Sequence, residues 1–273
     1  MARQANVNFH QTFKPEVQYI SSILNVASGT SWLSIKEISS MTGIPQGVSS
    51  GKVEPHILYA EYMGVVKSEK KNKQIRLTKT ELGEIISMED PGLQEMLTRL
   101  LLHSMMVREK EGACIWNSTF KRILPKYRSG IRKDMLILEL NQLYDNKVNI
   151  KNIAPFFGAY EDMFSDLKVL STEGDVVLCN SLPYNREFVY LYALALWTYW
   201  EEYYPDQDEI SSIQLAELNF GKAFGWDTQF EYRIMENLAD KNLIRMNRQL
   251  MPYTILKLTD KTGLISKLYS ELC

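Results

Sequence analysis

Apolar and polar residues alternate at helical spacing near the start of the chain. Ser34 is followed by apolar side chains at intervals of three, namely Ile35, Ile38 and Met41. Glu37 stands three residues after Ser34, which is the capping-box pattern of a helix N-terminus. Because Gly43 follows the last apolar position, the pattern predicts a short helix over 34–42.

A second helix is predicted to begin near Val53 and to run to Gly64, after a loop over 46–51 rich in Gly and Ser. Its apolar residues recur at i, i+4 and i+7, and a neighbouring stripe is formed by Lys52, His56 and Tyr59. The stretch 65–78 then reads as an apolar pair, a charged turn and an alternating strand, which is a hairpin pattern. Helix, turn, helix and hairpin is the order of a winged helix.

The C-terminal part of the chain repeats this order. A helix is predicted over 210–220, a turn over 221–226 and a second helix over 228–241, opened by a Thr228–Glu231 capping box. A hairpin follows, and IRLTKTELGEII near residue 80 resembles ILKLTDKTGLISKL near residue 260. An internal repeat favours two copies of one unit.

We therefore expect a mainly α (α+β) fold, with two winged-helix units flanking a helical middle domain. The predicted domains are an N-terminal winged helix over 1–87, a central helical domain over 88–205 and a C-terminal winged helix over 206–273. A short strand is expected in the middle domain at Val176–Cys179.

Aromatic residues crowd the segment 183–204. One interpretation is a central helix packed on several sides. The other is that part of the segment forms a protein interface, where Tyr and Trp are enriched. On the second interpretation, Tyr199 and Tyr203 would contact a partner.

Composition narrows the class of protein. The mean hydropathy is -0.23 and no apolar run approaches the roughly 20 residues that cross a bilayer, so we expect no membrane association. The N-terminus carries no targeting pattern, which predicts a cytoplasmic protein. The three cysteines, Cys114, Cys179 and Cys273, lie far apart and are expected to be reduced thiols.

Charge divides unevenly along the chain although its net value is only -2. Residues 1–150 carry 20 Lys and Arg against 15 Asp and Glu, whereas residues 151–273 carry 11 against 18. Such an asymmetry allows one half to meet a polyanion while the other half contacts a different partner or stays solvated.

Signals of catalysis are weak. The three histidines are too scattered for a metal site, and the sequence 47–52 has neither the glycine spacing nor the final Ser or Thr of a phosphate-binding loop. The sequence therefore predicts a protein that is not an enzyme, with no catalytic residues, no metal and no cofactor.

Signals of nucleic-acid binding are stronger. A winged helix inserts its second helix into the major groove and lays its hairpin on the backbone. Lys52, His56 and Tyr59 would then face bases or sugars, and the phosphates would be contacted by the hairpin cations Lys67, Lys70, Lys71, Lys73 and Arg76. A second basic run, 121–133, has no acidic residue and offers Lys121, Arg122, Lys126, Arg128, Arg132 and Lys133. A solvated surface is the alternative for both runs.

The second helix of the C-terminal unit is acidic and would repel DNA. Glu236 and Asp240 are therefore expected at a protein interface.

Several stretches of the sequence together resemble a known family. They are FHQTFKP (9–15), GVSSGKVEPHILYAEYMGVV (47–66), LTKTELGEII with the following Asp-Pro and LLLH, and NSLPYNREFVYLYALALWTYW (180–200). The family is an uncharacterised bacterial one, a domain of unknown function. It is encoded beside proteins similar to phosphoadenosine phosphosulfate reductase in DNA-sulfur-modification and phage-defence islands.

The resemblance implies a system rather than a reaction. Its partners would be double-stranded DNA and other protein subunits of a defence or modification complex, a phosphoadenosine-phosphosulfate-reductase-like protein among them. The expected function is that of a non-enzymatic DNA-binding accessory subunit. The alternative is a winged-helix scaffold that joins proteins without binding DNA directly.

Overall fold

Helices dominate the computed structural model, which describes residues 6–47 and 51–272. The helices are α1 Val17–Val26, α2 Ile35–Thr42, α3 Val53–Tyr62, α4 Glu81–Glu89, α5 Met96–Met106, α6 Cys114–Asn117, α7 Lys133–Leu143, α8 Ile150–Glu161, α9 Val189–Tyr203, α10 Ser212–Leu218, α11 Thr228–Asp240 and α12 Lys261–Ser266. A π-helical turn spans Ser118–Ile123, and 3-10 turns span Leu124–Lys126, Ser165–Leu167, Arg186–Phe188 and Phe220–Phe224. Within the described ranges, none of these helices has the length and apolarity to span a membrane.

Three small antiparallel sheets complete the fold. Their strands are β1 Ser28–Ser34, β2 Val66–Lys71, β3 Gln74–Lys79, β4 Ile131–Arg132, β5 Leu170–Glu173, β6 Val176–Cys179, β7 Glu209–Ser211, β8 Ile244–Asn247 and β9 Thr254–Lys257. The spatial orders are β1–β3–β2, β4–β6–β5 and β7–β9–β8. The chain is therefore α+β, as the sequence predicts.

One order of elements occurs three times along the chain. A helical segment leads into a strand, two helices follow, and a hairpin returns to pair with that strand. We name these regions the N-terminal unit (17–89), the middle unit (114–179) and the C-terminal unit (189–266). The strand predicted at Val176–Cys179 is confirmed as β6, and the middle unit also contains β5 and β4, which both pair with β6. Since β4 has only two residues, it leaves no periodic signal in the sequence.

Local sequence explains the first helix of the repeat that was predicted. The Ser34 hydroxyl accepts a hydrogen bond from the Glu37 amide at 3.2 Å, and the Glu37 carboxylate accepts from the Ser34 amide at 2.7 Å. Gly43 ends α2 in the left-handed region with φ of 72°, a conformation that glycine adopts without strain. The predicted helix and its capping box are confirmed. The loop predicted over 46–51 lies partly outside the described residues.

The second capping box was assigned to the wrong residue. Asp227 is the N-cap of α11, and its carboxylate accepts a hydrogen bond from the Phe230 amide at 2.7 Å. Thr228 is the first residue of the helix, and Glu231 lies on the buried face of the same helix. The helix therefore begins where the sequence predicted, with a carboxylate cap one residue earlier.

Helix α9 occupies the centre of the molecule. All its residues from Val189 to Trp200 are buried, and it packs against α5, α10 and α12. The indole N–H groups of Trp197 and Trp200 donate to the carbonyls of Thr259 and Gln207, both at 2.8 Å. The aromatic segment thus lies within the fold, as in the first of the two interpretations. Because α9 packs on helices beyond residue 205, the division into 1–87, 88–205 and 206–273 stays a prediction.

A buried histidine of α5 joins the middle and C-terminal units. His103 of α5 is fully buried, and its Nε2 lies 2.7 Å from the Ala223 carbonyl. The Tyr160 hydroxyl of α8 lies 2.8 Å from His103 Nδ1. The carbonyl requires a proton on Nε2, so Nδ1 accepts from the tyrosine. Burial lowers the pKa of His103 to about 4, and the ring is neutral at pH 7.

Candidate nucleic-acid interface

The hairpin formed by β2 and β3 carries a group of exposed lysines. Its strands pair from Val66–Lys79 to Lys71–Gln74, which leaves Asn72 and Lys73 as a two-residue turn. Both turn residues have positive φ, 50° and 63°, as the tight turns of twisted hairpins require. The exposed cations are Lys67, Lys70, Lys71 and Lys73.

Ion pairs neutralise only part of this hairpin. Lys70 Nζ lies 2.8 Å from Glu54 Oε1, and Arg76 lies 2.6 Å from Glu69 Oε2. Among the residues that the structure describes, Lys67, Lys71 and Lys73 form no ion pair. Exposed pairs contribute about 1 kcal/mol or less, so a phosphate can replace Glu54 at Lys70. The hairpin therefore presents four cations to an anionic partner.

A tryptophan packs against the hairpin midway along its strands. Trp32 of β1 pairs in register with Arg76 of β3, and the guanidinium carbon lies 4.9 Å from the centre of the indole ring. This cation–π contact orients Arg76 along the sheet. Trp32 has no sequence signal that marks this contact, because the pairing of β1 with β3 joins residues 44 positions apart.

The predicted base-reading stripe of α3 is not accessible. His56 and Tyr59 are fully buried, so their assignment to a DNA interface is wrong for this conformation. The Tyr59 hydroxyl donates to the Phe13 carbonyl at 3.0 Å, and the Glu16 amide donates to His56 Nε2 at 3.2 Å. Burial lowers the pKa of His56, so its ring is neutral at pH 7.

Further contacts from the segment 9–16 and from the middle unit cover α3. Lys52 Nζ lies 2.6 Å from Glu16 Oε1, so this cation is already paired. The Phe9 ring packs edge-on against Tyr59, with centroids 4.9 Å apart, and Trp116 of the middle unit approaches Tyr59 at 6.1 Å. The segment 9–16 thus covers the stripe of α3 that was expected to face bases. The hydrophobic periodicity around α3 does not predict that the segment 9–16 packs on this helix.

The basic run 121–133 is largely paired or buried. Lys121 is buried, where its ammonium donates to the Leu218 carbonyl at 2.8 Å and lies 4.2 Å from the Tyr199 ring centre. Burial lowers its pKa to about 8. Lys121 is therefore not a phosphate contact, and that assignment is wrong.

The other cations of the run meet acids from elsewhere in the sequence. Ion pairs join Arg122 to Glu109 at 2.7 Å, Lys126 to Glu139 at 3.0 Å, and Arg132 to Asp134. Lys133 Nζ lies 5.2 Å from the Phe157 ring centre. Arg128 is exposed and has no carboxylate partner in the described part of the chain. The run is thus a weaker patch than its sequence suggests.

The four residues predicted at a protein interface are placed differently from one another. Tyr199 is fully buried and its hydroxyl donates to the Ser104 carbonyl at 2.8 Å, so it cannot contact a partner and its assignment is wrong. Tyr203 is half-buried and its hydroxyl donates to Glu109 at 2.8 Å. Glu236 pairs with Arg248 at 3.0 Å, and Asp240 is exposed.

Thiols and metal ligands offer no reactive centre in the described residues. Cys114 and Cys179 are free, and burial raises the pKa of each to about 11, so both are protonated at pH 7. Within 6–47 and 51–272, the His, Cys, Asp and Glu side chains form no group of three or more that could hold a metal ion.

Comparison with known proteins shows a fold and no sequence family. No family model matches the chain, and no curated protein matches it. The α+β fold is similar to that of two solved structures of SspB, one described as an SspB crystal structure and one as bound to magnesium ion. The TM-scores are 0.77 and 0.74, each at 15% identity, over 99% of this chain and 88% of the other. At this identity the likeness concerns the fold alone.

Proposed function

We propose that this chain is a non-enzymatic DNA-binding accessory subunit of a bacterial phage-defence or DNA-modification system. The N-terminal, middle and C-terminal units share the order helix, strand, two helices and hairpin, and we interpret each of them as a winged helix. DNA is contacted by the β2–β3 hairpin of the N-terminal unit. The observation that carries the proposal is the group of four exposed lysines on this one hairpin, three of them without an ion pair in the described residues.

The mode of contact differs from that of a base-reading winged helix. Because α3 is covered by the segment 9–16, the hairpin provides contacts to phosphates and α3 does not enter the major groove. Phosphate contacts position a protein on DNA and carry no direct sequence information. The proposed binding is therefore strongly salt-dependent and nearly independent of sequence.

A salt titration of duplex DNA binding, followed by fluorescence anisotropy, tests this function. The variant Lys70→Gln, Lys71→Gln, Lys73→Gln should bind more weakly, and the slope of log affinity against log salt should fall by about 0.9 for each lost phosphate contact. The matched control is Lys147→Gln, Lys151→Gln, Lys168→Gln. It removes three exposed lysines outside the hairpin and should keep the wild-type slope.

Two results would contradict the DNA-binding proposal. One is a wild-type protein without measurable affinity at low salt. The other is an equal change of slope in the hairpin variant and in the control, because the binding would then reflect overall charge rather than the hairpin.

A second function, protein docking, is favoured by a different observation. Leu250 and Met251 at the turn between β8 and β9 are each 81% exposed, and adjacent exposed apolar residues are typical of interaction sites. A scaffold would show little DNA affinity at any salt concentration. The same titration therefore separates the two functions.

A further inference from the structure

A cleft lies where the middle unit meets the C-terminal unit. Its volume is about 250 Å³, which exceeds the roughly 30 Å³ of a single water several times over. One side is formed by Tyr127 and Arg128, which precede β4. The other side is formed by Ser181 and by the turn that leads into α11, with Lys222, Trp226 and Asp227.

The walls of this cleft are fixed by contacts between the connecting segment 180–182 and the C-terminal unit. The Leu182 amide donates to the Phe224 carbonyl at 3.0 Å, and the Trp226 indole donates to the Leu182 carbonyl at 2.8 Å. Gly225 has φ of 69°, and a Cβ placed there would lie 2.2 Å from the Asn180 carbonyl oxygen. The cleft is therefore formed before any ligand binds.

The tryptophan that lines the cleft has both ring faces covered. Trp226 lies between Phe224, at 4.5 Å between ring centres, and Phe230, at 5.3 Å, and both pairs are stacked. The Tyr127 hydroxyl donates to Glu139 at 2.8 Å. A ligand therefore cannot stack on Trp226, whereas the polar and charged groups of the cleft are available to it.

Two cations and a hydroxyl supply that recognition. Arg128 and Lys222 line the cleft, and neither forms an ion pair with a described residue. Lys222 is half-buried and its ammonium donates to the Trp226 carbonyl at 3.3 Å, which leaves two of its three protons for a ligand. The Ser181 side chain is exposed at the same opening.

One carboxylate also lines the cleft, and it is already engaged. Asp227 caps α11 by accepting from the Phe230 amide. The Cys179 thiol in the wall is protonated at pH 7 because burial raises its pKa. With two cations and one anion among the described lining residues, the cleft has a net positive charge.

We propose that this cleft binds the phosphate group of a phosphate ester, held by Arg128, Lys222 and Ser181. Arginine and lysine provide charge-assisted hydrogen bonds to phosphate oxygens. The phosphate belongs either to a free mononucleotide or to the backbone of a single-stranded nucleic acid. This site goes beyond the proposed function and does not depend on the hairpin.

Calorimetric titration of the full chain with inorganic phosphate, adenosine monophosphate and a short single-stranded oligodeoxynucleotide tests the site. Arg128→Gln, Lys222→Gln should lower affinity for each ligand that binds by about tenfold or more, as expected for losing charged hydrogen bonds. Lys126→Gln is the matched control, because Lys126 is in the same basic run and does not line the cleft. It should bind as the wild type does.

The single variant Arg128→Gln replaces an exposed side chain and should therefore fold as the wild type does. It should also bind the phosphate ligands more weakly. Tighter binding of the mononucleotide than of the oligonucleotide identifies a free nucleotide as the ligand, and the reverse identifies a nucleic-acid strand. Either result supports the site.

Absence of binding by all three ligands overturns the inference, and so does an equal loss in Lys126→Gln. The hairpin variant Lys70→Gln, Lys71→Gln, Lys73→Gln should bind phosphate normally at the cleft. Failure of the cleft and failure of the hairpin are therefore distinguishable.

Discussion

Replacement of His103 by glutamine should remove part of the sensitivity of this protein to acid. Burial lowers the pKa of His103 from its ordinary 6.5 to about 4 in the folded chain. Between these values the unfolded chain binds a proton that the folded chain refuses, so stability falls as pH decreases from 6.5 to 4. Above pH 7 this histidine makes no contribution to the pH dependence.

The size of the effect follows from the two pKa values. At pH 5 the unfolded histidine is almost fully protonated and the folded one is mostly neutral, which costs about 2 kcal/mol of unfolding free energy relative to pH 7. His10, with its pKa also lowered to about 4 by burial, adds a similar amount. His103→Gln should therefore lose about 2 kcal/mol less than the wild type between pH 7 and pH 5.

Urea unfolding at both pH values, followed by circular dichroism, measures the difference. Tyr160→Phe is the control, because it removes the hydroxyl that donates to His103 Nδ1 and keeps the titrating ring. It should lower stability by about 1 kcal/mol at pH 7 and keep most of the wild-type pH dependence, because burial of the ring, the main cause of the lowered pKa, is unchanged. If His103→Gln shows the full wild-type loss between pH 7 and pH 5, His103 is not the group that titrates, and the reasoning from its burial is refuted.

Three further expectations concern single positions. Gly225→Ala should lower the melting temperature markedly, because its Cβ would lie 2.2 Å from the Asn180 carbonyl oxygen. The control Gly174→Ala is also at positive φ but has open space around it, so it should cost only about 1 kcal/mol of stability. Equal losses in the two variants would contradict the role of the close contact. Ser34→Ala removes the hydroxyl that caps α2 and should cost about 1 kcal/mol in thermal unfolding, and an unchanged melting temperature would count against the capping box. Burial raises the pKa of Glu231 to about 7, so wild-type stability should fall as pH rises from 4.5 to 7. Between pH 4 and pH 8 the stability of Glu231→Gln should therefore rise by about 3 kcal/mol relative to that of the wild type. A stability difference between the two proteins that does not change with pH would contradict this expectation.

Local signals account for what could be predicted about the fold. The capping box of α2 and the β2–β3 hairpin depend on residues a few positions apart, so the sequence displays them directly. The two-residue strand β4 has no pattern of its own. It is recognisable only when the β5–β6 hairpin lies beside it, which is why a helical middle domain was expected.

The candidate site was harder to predict because accessibility depends on distant residues. His56 and Tyr59 stand at helical positions suited to DNA contact, but Phe13 and Glu16 cover them from about 40 residues away. Lys121 belongs to a run without acids in sequence and is nevertheless enclosed by Leu218 and α9. The periodicity of one helix is the same whether a distant segment covers that helix or leaves it exposed, so the sequence alone does not distinguish the two cases.

The distribution of tryptophans gives this protein a built-in optical probe. Four of the five tryptophans, Trp116, Trp197, Trp200 and Trp226, are at most 1% exposed. Trp32 is the partly exposed one, and its ring contacts Arg76 midway along the hairpin. Iodide or acrylamide should therefore quench Trp32 selectively, and a ligand on the hairpin should shield it, so that binding can be followed by native fluorescence without attaching a dye.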